Sequence, residues 1–198
     1  MSRAAEVRRT TKETAIALAL ELDGTGEARV ATPVGFLTHM LETLAKHARF
    51  DLAVEASGDV HVDAHHTVED VGLALGEALD RALGERAGIA RFGHAYVPLD
   101  EALARSVVDL SGRPYIVFEA PSTPELQFVT SDFPFALVEE FWKSVAFRGK
   151  LNLHVDVLRA RNGHHAAEAV FKASARALRQ AVSVEGGGVP STKGSLVA

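Results

Sequence analysis

Two short segments of the sequence carry residue types that bind transition metals. Each has two adjacent histidines followed by a glutamate one helical turn later, His65-His66-Thr67-Val68-Glu69 and His164-His165-Ala166-Ala167-Glu168. Neutral imidazole and carboxylate are good ligands for first-row divalent metals, and residues three or four apart share one face of a helix. Each segment therefore predicts a metal centre with nitrogen and oxygen ligands.

Neighbouring residues differ by about 100° around a helix, so adjacent histidines diverge rather than chelate one ion. One histidine of each pair can share a metal with its glutamate while the other serves another centre. Two segments indicate two centres, for which Mn²⁺, Fe²⁺ and Zn²⁺ are all suitable. The alternative is a pair of solvated helix-start histidines beside ordinary surface acids, which two matching copies disfavour. The segments are not HExxH, so a zinc protease is poorly supported.

The other histidines follow no such pattern. His39 falls inside a helical stretch beside Met40 and Leu41, where a packed core histidine is the ordinary interpretation. The remaining four, which fall in predicted strands or have the surroundings of surface residues, are His47, His61, His94 and His154. Taken singly, each favours a structural role.

A second group of side chains could bind an anion. Its members are basic or carry a hydroxyl group: Arg91, Arg113, Lys172, Ser191 and Lys193. Arginine forks and lysine point charges suit phosphate. The tail GGGVPSTKGS is not a Walker loop, because it lacks GxxxxGK[ST] and no helix follows it. Read separately these are solvated charges, but beside a metal centre they indicate an anionic substrate.

The elements that must position these residues alternate along the chain. Alternating apolar residues and the Asp23-Gly24 turn predict a strand over 14–22. Helical spacing predicts helices over 35–48, 66–84, 133–148 and 164–183. Further strands are predicted over 51–56, 59–63, 94–98, 102–110, 114–119 and 150–158, and an irregular tail follows Glu185.

The spacing of the two histidine segments indicates an internal duplication. They begin 99 residues apart in a chain of 198, and each follows a strand and a turn and opens a long helix. We expect two α+β pseudo-repeats, about 5–95 and 96–185, in one catalytic unit that spans 1–198, with the tail 186–198 outside both.

Composition narrows the classes of function. The net charge of −5 and pI near 6.0 argue against a nucleic-acid binder that relies on a basic surface. No apolar run approaches the ~20 residues of a membrane span, and the first residues lack the apolar core of a signal peptide. Nine histidines and no cysteine leave metal sites with nitrogen and oxygen ligands, and exclude disulfides, thiolate sites and a cysteine nucleophile.

Several segments together resemble the imidazoleglycerol-phosphate dehydratase family of histidine biosynthesis. They are RTTKET (9–14), GFLTHML (35–41), GDVHVDAHHTVEDVGLALGEAL (58–79), RFG (91–93), DLSGRPY (109–115), LNLHV (151–155), HHAAEAVFKASARALRQAV (164–182) and PSTKG (190–194). The resemblance runs from about residue 5 to 195, and the combination of DxHHTVED with the second HHxxEAxFKAxARALRQA is its most specific part.

This resemblance implies a cytoplasmic enzyme that dehydrates D-erythro-imidazole-glycerol phosphate to imidazole-acetol phosphate with two Mn²⁺ ions per active site. It also implies sites between subunits, in a homo-oligomeric shell of 24 subunits built from trimers. The fold implied is a tandem pair of βαβ-rich halves with mixed sheets packed on helices, like the second domain of ribosomal protein S5. No nucleic acid or membrane is expected as a partner.

The resemblance also assigns roles to residues. The implied metal ligands are His39, His65, His66, Glu69, His164, His165 and Glu168. Glu13 matches the carboxylate that transfers a proton, and Arg91, Arg113, Lys172, Ser191 and Lys193 match the phosphate cradle. The implied role of His39 replaces its ordinary interpretation as a core residue.

The sequence departs from the family pattern at several positions. Many members have FLDHM where this chain has Thr38 before His39, and glutamine where it has Thr43, which could loosen a substrate contact. Glu140 falls where many members place a metal-binding histidine, as the counterpart of His39 in the second half. Because glutamate can bind Mn²⁺, we predict that Glu140 is a ligand.

The implied chemistry suggests a hypothesis for the reaction. The imidazole ring of the substrate would bridge both ions and act as the electron sink, Glu13 would move a proton, and the enol would ketonise. Two alternatives stay open: a dinuclear metal phosphohydrolase, and a structural protein assembled by metals. Release of inorganic phosphate would favour the first, and assembly without turnover the second.

Overall fold

The two halves of the chain repeat one order of strands and helices. The computed structural model describes residues 3–192, 194 and 196. The first half contains β1 (Ala4–Thr10), β2 (Thr14–Glu21), β3 (Ala28–Ala31), α1 (Gly35–Ala48), β4 (Asp51–Gly58) and α2 (His65–Leu83). The second contains β5 (Phe92–Leu99), β6 (Ala102–Asp109), β7 (Tyr115–Glu119), β8 (Phe128–Thr130), β9 (Phe133–Pro134), α3 (Ala136–Arg148), β10 (Asn152–Arg159) and α4 (Gly163–Ala181). A short 3₁₀ turn, Pro124–Leu126, precedes β8.

Each half forms a four-stranded mixed sheet of the same topology. The strand orders are β1-β2-β4-β3 and β5-β6-β10-β7. In each sheet one parallel pair is joined through a helix, β3 to β4 through α1 and β7 to β10 through α3, while the other pairs are antiparallel. The predicted α+β fold, a tandem duplication with βαβ-rich halves, is confirmed.

The helices pack between the halves as well as within them. α2 covers β1 and β2 of its own sheet, and α4 covers β5 and β6. α1 of the first half packs on α4 of the second, and α3 of the second packs on α2 of the first. Both sheets therefore bury one face against a shared layer of helices in one continuous hydrophobic core. None of the described helices is long and apolar enough to cross a membrane.

Several predicted boundaries were wrong, for physical reasons. The strand predicted over 59–63 is a turn, closed by a hydrogen bond from the Val62 amide to the Asp59 carbonyl. Its apolar residues alternate but are exposed, 42% for Val60 and 63% for Val62. β1 and β3 were missed because edge strands bury few side chains; in β1 only Val7 is buried. α3 begins at Ala136 rather than at 133, since Phe133–Pro134 pairs with β8.

Gly93 is the position where the sheet of the second half comes closest to its helix. A Cβ placed there would lie 1.9 Å from the carbonyl oxygen of Ala177 in α4, a backbone atom that cannot move alone. We expect Gly93→Ala to lower the free energy of unfolding by about 1–3 kcal/mol or more, through overpacking. Urea unfolding followed by circular dichroism measures the change.

Gly35→Ala is the matched control for this substitution, because nothing lies within 4 Å of the Cβ it would add. If Gly93→Ala unfolds at the same urea concentration as Gly35→Ala, the close packing of β5 on α4 is wrong.

Candidate metal centre

The side chains of His39, His164 and Glu168 meet where α1 packs on α4. One ligand atom from each lies within 4.8 Å of the others. The Oε2 atom of Glu168 is 3.5 Å from Nε2 of His39 and 3.3 Å from Nε2 of His164. Within residues 3–192, 194 and 196, no other trio of histidine and acidic side chains is gathered this closely.

The fold positions these three residues through a helix cap and an aromatic contact. The Asn162 side chain accepts hydrogen bonds from the amides of His164 and His165, which fixes both histidines in the first turn of α4. The Phe36 ring lies 5.2 Å from the His164 ring and 6.3 Å from the His39 ring, centroid to centroid. Both imidazoles therefore rest against one aromatic side chain.

Glu168 is held in its ionised form. Burial by itself raises the pKa of this carboxyl, but the hydrogen bond and charge of Lys172, together with His39, outweigh burial and bring the pKa below its usual value. The Lys172 Nζ lies 2.7 Å from the second carboxylate oxygen, Oε1. One oxygen is thus engaged by lysine, while the other faces the two imidazoles.

The residues present fit a divalent metal. Two imidazole nitrogens and a carboxylate oxygen are borderline and hard ligands of the kind that Mn²⁺, Fe²⁺ and Zn²⁺ accept. The His39 side chain is 49% exposed and that of His164 is 43% exposed, so further ligands could approach from solvent. The interpretation of His39 as a packed core residue is wrong, because its imidazole lies on the exposed side of α1.

The equivalent residues of the other half are arranged differently. His65 and Glu69 lie in the first turns of α2, and Glu140 lies on α3, which packs on α2. Among the described residues these three do not form a group within 4.8 Å. The Glu140 carboxylate faces Lys143 instead, at 3.3 Å. Its assignment as a ligand stays a prediction.

The second histidine of each pair faces a carboxylate. Nδ1 of His66 lies 3.1 Å from the Asp59 carboxylate, and Nδ1 of His165 lies 2.8 Å from that of Glu101. These hydrogen bonds are the main reason why the pKa of each histidine is raised, and burial only partly opposes it. A carboxylate on Nδ1 leaves Nε2 directed away and available to a metal.

The raised pKa of His165 can be measured in the metal-free protein. The imidazole holds its proton to a higher pH than an ordinary histidine, near 6.5, so its stabilising ion pair is present below that pH and is lost as pH rises through the raised pKa. We expect Glu101→Gln to lower the pKa of His165 toward its ordinary value. Histidine NMR titration tests this, with His66 as the internal control, because its partner is Asp59. An unchanged His165 titration would contradict the pairing.

Glu13 lies in the turn between β1 and β2, at the same end of the molecule as His66. Its Oε2 atom is 4.0 Å from Nδ1 of His66, and its side chain is 53% exposed. The Glu13 carbonyl accepts a hydrogen bond from the Asp59 amide at 3.1 Å. The carboxylate is therefore open to solvent on an anchored turn, next to a predicted metal-binding histidine.

The predicted phosphate cradle is divided between two places. Lys172 lies beside Glu168, whereas Arg91 pairs with Asp109 at 2.7 Å and donates to the Pro190 carbonyl. Arg113 is exposed in the loop after β6. Ser191 follows Pro190 in the tail, and Lys193 lies outside the described residues.

The distance between these two places follows from the length of α4. The Arg91 amide donates to the Ala181 carbonyl, and Ala181 lies 13 residues after Glu168 in the same helix. At 1.5 Å per residue this separates the two positions by about 20 Å along the axis. One chain therefore does not bring Arg91 and the His39–His164–Glu168 group to one small substrate.

The sequence did not reveal the carboxylates that face the second histidine of each pair. Asp59 lies in the loop before α2, and Asp100 and Glu101 lie in the turn between β5 and β6. Nε2 of His165 also lies 3.8 Å from Asp100. The sequence signals only acidic turn residues at these positions, because nothing in a linear pattern brings a hairpin turn to the start of a later helix.

Known proteins match this chain over nearly its whole length. The family model for imidazoleglycerol-phosphate dehydratase matches residues 32–178. A protein of that name from Salinispora arenicola is 51% identical over 99% of this chain and 100% of its own length. One from Lacticaseibacillus casei is 53% identical over 97% of this chain and 98% of its own.

Two solved structures are also similar. The crystal structure of imidazoleglycerol-phosphate dehydratase from Staphylococcus aureus has a TM-score of 0.81 and 37% identity, and covers 91% of this chain and 99% of its own. That of IGPD from Pyrococcus furiosus has a TM-score of 0.81 and 35% identity, and covers 96% of this chain and 99% of its own. Sequence and fold thus agree on one set of relatives.

Proposed function

The chain belongs to the imidazoleglycerol-phosphate dehydratase family of hydro-lyases, and we propose that it dehydrates D-erythro-imidazole-glycerol phosphate to imidazole-acetol phosphate at a site with two Mn²⁺ ions. The observation that carries the proposal is the group formed by His39, His164 and Glu168. A second centre would use His65, Glu69 and Glu140, and the second histidine of each pair, His66 or His165, would bind a centre other than the one that its neighbour binds. We place the reaction in the cytoplasm.

The metals would supply the electron-withdrawing power that the substrate lacks. The hydroxyl group to be lost lies on the carbon attached to the imidazole ring, and the proton to be removed lies on the next carbon, with no carbonyl group to acidify it. A metal on the ring nitrogen stabilises negative charge in the ring. The role of the protein is to position the metal-binding side chains: Asn162 fixes the start of α4, and Lys172 keeps Glu168 ionised.

Glu13 is the residue that would move the proton. Its carboxylate is exposed, sits on a turn anchored by the Asp59 amide, and lies 4.0 Å from His66. A carboxylate in that place can take a proton from the substrate carbon and return one to the leaving hydroxyl group.

The cradle residues would hold the substrate phosphate and so fix the reacting carbons. Arg91, Arg113, Ser191 and Lys193 would come from one subunit, and Lys172 with the metal group from another. The separation of about 20 Å along α4 within one chain supports this arrangement. It also supports a homo-oligomer, for which we propose 24 subunits built from trimers.

Metal dependence and reaction type can be tested together. We expect the purified protein to bind manganese, to form a keto product that absorbs as its enol in base, and to lose activity on chelation and regain it with Mn²⁺. Metal analysis and a product assay with and without chelator measure this. Release of inorganic phosphate would instead indicate a dinuclear phosphohydrolase, and intact assembly without turnover a structural metalloprotein.

A further inference from the structure

We propose that Asp70 is a positioning residue that holds the turn carrying Glu13, and that it acts through the hydroxyl group of Thr14. This inference rests on the proposed role of Glu13. Asp70 follows Glu69 in α2, faces away from solvent and is only 6% exposed. Nothing in the reaction outlined above requires a buried carboxylate at this position.

Both oxygens of the Asp70 carboxylate are occupied, each by a different strand. Arg9 at the end of β1 donates from Nε to Oδ1 at 2.7 Å. Thr14, the first residue of β2, donates from its hydroxyl group to Oδ2. Thr14 is itself only 4% exposed, so its hydroxyl group is shielded from solvent. Asp70 therefore ties α2 to both strands at the base of the turn.

The hydrogen bonds continue from Thr14 into the turn. An ionised carboxylate only accepts, so Thr14 must donate to Asp70 and can only accept from the Thr11 hydroxyl group, 3.3 Å away. The Thr11 oxygen in turn accepts from the amides of Glu13 at 3.1 Å and Thr14 at 3.0 Å. Asp70 thus sets the direction of the hydrogen bonds that run through Thr14 and Thr11 to the amide of Glu13.

The duplication provides an internal comparison. The offset of 99 residues places Ala169, which is fully buried, where the first half has Asp70. The first residue of β6 is Ala102, 1% exposed, where β2 begins with Thr14. The second half thus builds the same sheet and helix with two alanines in place of the hydrogen-bonded pair.

This asymmetry separates a functional role from a purely architectural one. Burying a carboxylate is costly unless its partners compensate, and the second half shows that the fold does not need the pair. The half that contains the Asp70–Thr14 pair is also the half whose first hairpin turn carries Glu13. In the other half the turn carries Asp100 and Glu101, of which Glu101 bonds directly to His165.

Thr14→Val removes the hydroxyl group while keeping the shape of the side chain, and Thr14→Ser keeps the hydroxyl group. We expect Thr14→Val to lower kcat by about 10- to 100-fold through misplacement of Glu13, with KM and bound metal unchanged. Thr14→Ser should retain kcat within a few-fold. Ser174→Ala is the control, since it removes a buried hydroxyl group that donates to Ser106 at 3.2 Å in the half without Glu13; its kcat should be unchanged.

A double-mutant comparison shows whether the effect passes through Glu13. In a Glu13→Gln background, Thr14→Val should cause no further loss of kcat. An equal further loss, or a Thr14→Val enzyme with normal kcat while Glu13→Gln is slow, overturns the inference. Normal kcat in Glu13→Gln itself overturns the proposed role of Glu13 instead. If Thr14→Val does not fold, Asp70→Asn is read in the same way.

Discussion

The Glu13→Gln variant is expected to lose about 10²- to 10⁴-fold in kcat, the usual contribution of a positioned general acid or base. The amide keeps the size of the side chain but cannot take a proton. Because the Glu13 side chain is 53% exposed and lies 4.0 Å from His66, and because its hydrogen bonds to Asp59 and Thr11 are made by the backbone, folding and assembly should be unaffected. Steady-state kinetics, with metal content measured on the same samples, is the test.

Glu55→Gln is a suitable control for this loss. Glu55 is exposed on β4, on the face opposite the buried Leu52 and Val54, so the same change of charge there should leave kcat within about twofold. Near-normal turnover in Glu13→Gln with full metal content would remove Glu13 from the reaction. Loss of metal along with turnover would instead make Glu13 part of the metal site.

Local sequence patterns predicted the parts of this molecule that depend on neighbours along the chain. The alternation in β2 places Thr14, Ile16, Leu18 and Leu20 on the buried face, as expected. The spacing of His164 and Glu168 on one helix face was equally sufficient to bring their side chains to 3.3 Å. Both follow from a fixed repeat, two residues in a strand and 3.6 in a helix.

The pairing of His39 with this group could not be derived in the same way. It depends on the packing of α1 from the first half on α4 from the second, a contact across more than half of the sequence. Taken alone, a histidine in an apolar helix favours a packed core position. Only resemblance to a family assigned His39 to a metal, and the structure brings its Nε2 to 3.5 Å from Glu168.

The strand expected over 59–63 is wrong for a different reason: its residues alternate as in a strand, but neither valine packs against the core. Val60, His61 and Val62 alternate between apolar and polar as in a strand, yet they form an exposed turn. That turn lies in the loop between β4 and α2, whose first residue, Asp59, bonds to His66 and to the Glu13 backbone. Hydrogen bonding of a polar loop to the candidate site outweighs the strand preference of two valines.

Mixed oligomers of two inactive variants are expected to regain activity. His39→Ala damages the metal group, and Arg113→Ala damages the cradle, so each homogeneous oligomer should lose about 10²-fold or more in kcat/KM. If a site takes its metal group from one subunit and its cradle from another, random co-assembly leaves both intact in about a quarter of the sites. Co-expression of the two chains with different tags, followed by tandem purification, gives the sample to assay.

The control is a mixture of His39→Ala with His164→Ala. Both residues belong to the group that one chain assembles within 4.8 Å, so no subunit in that mixture has an intact metal group and activity should stay low. Recovery only with Arg113→Ala would show that the metal group and Arg113 of one active site come from two different copies of the chain. Failure of the Arg113→Ala mixture to exceed the control would place cradle and metal in a single subunit, and would require α4 or the tail to move far from their described positions.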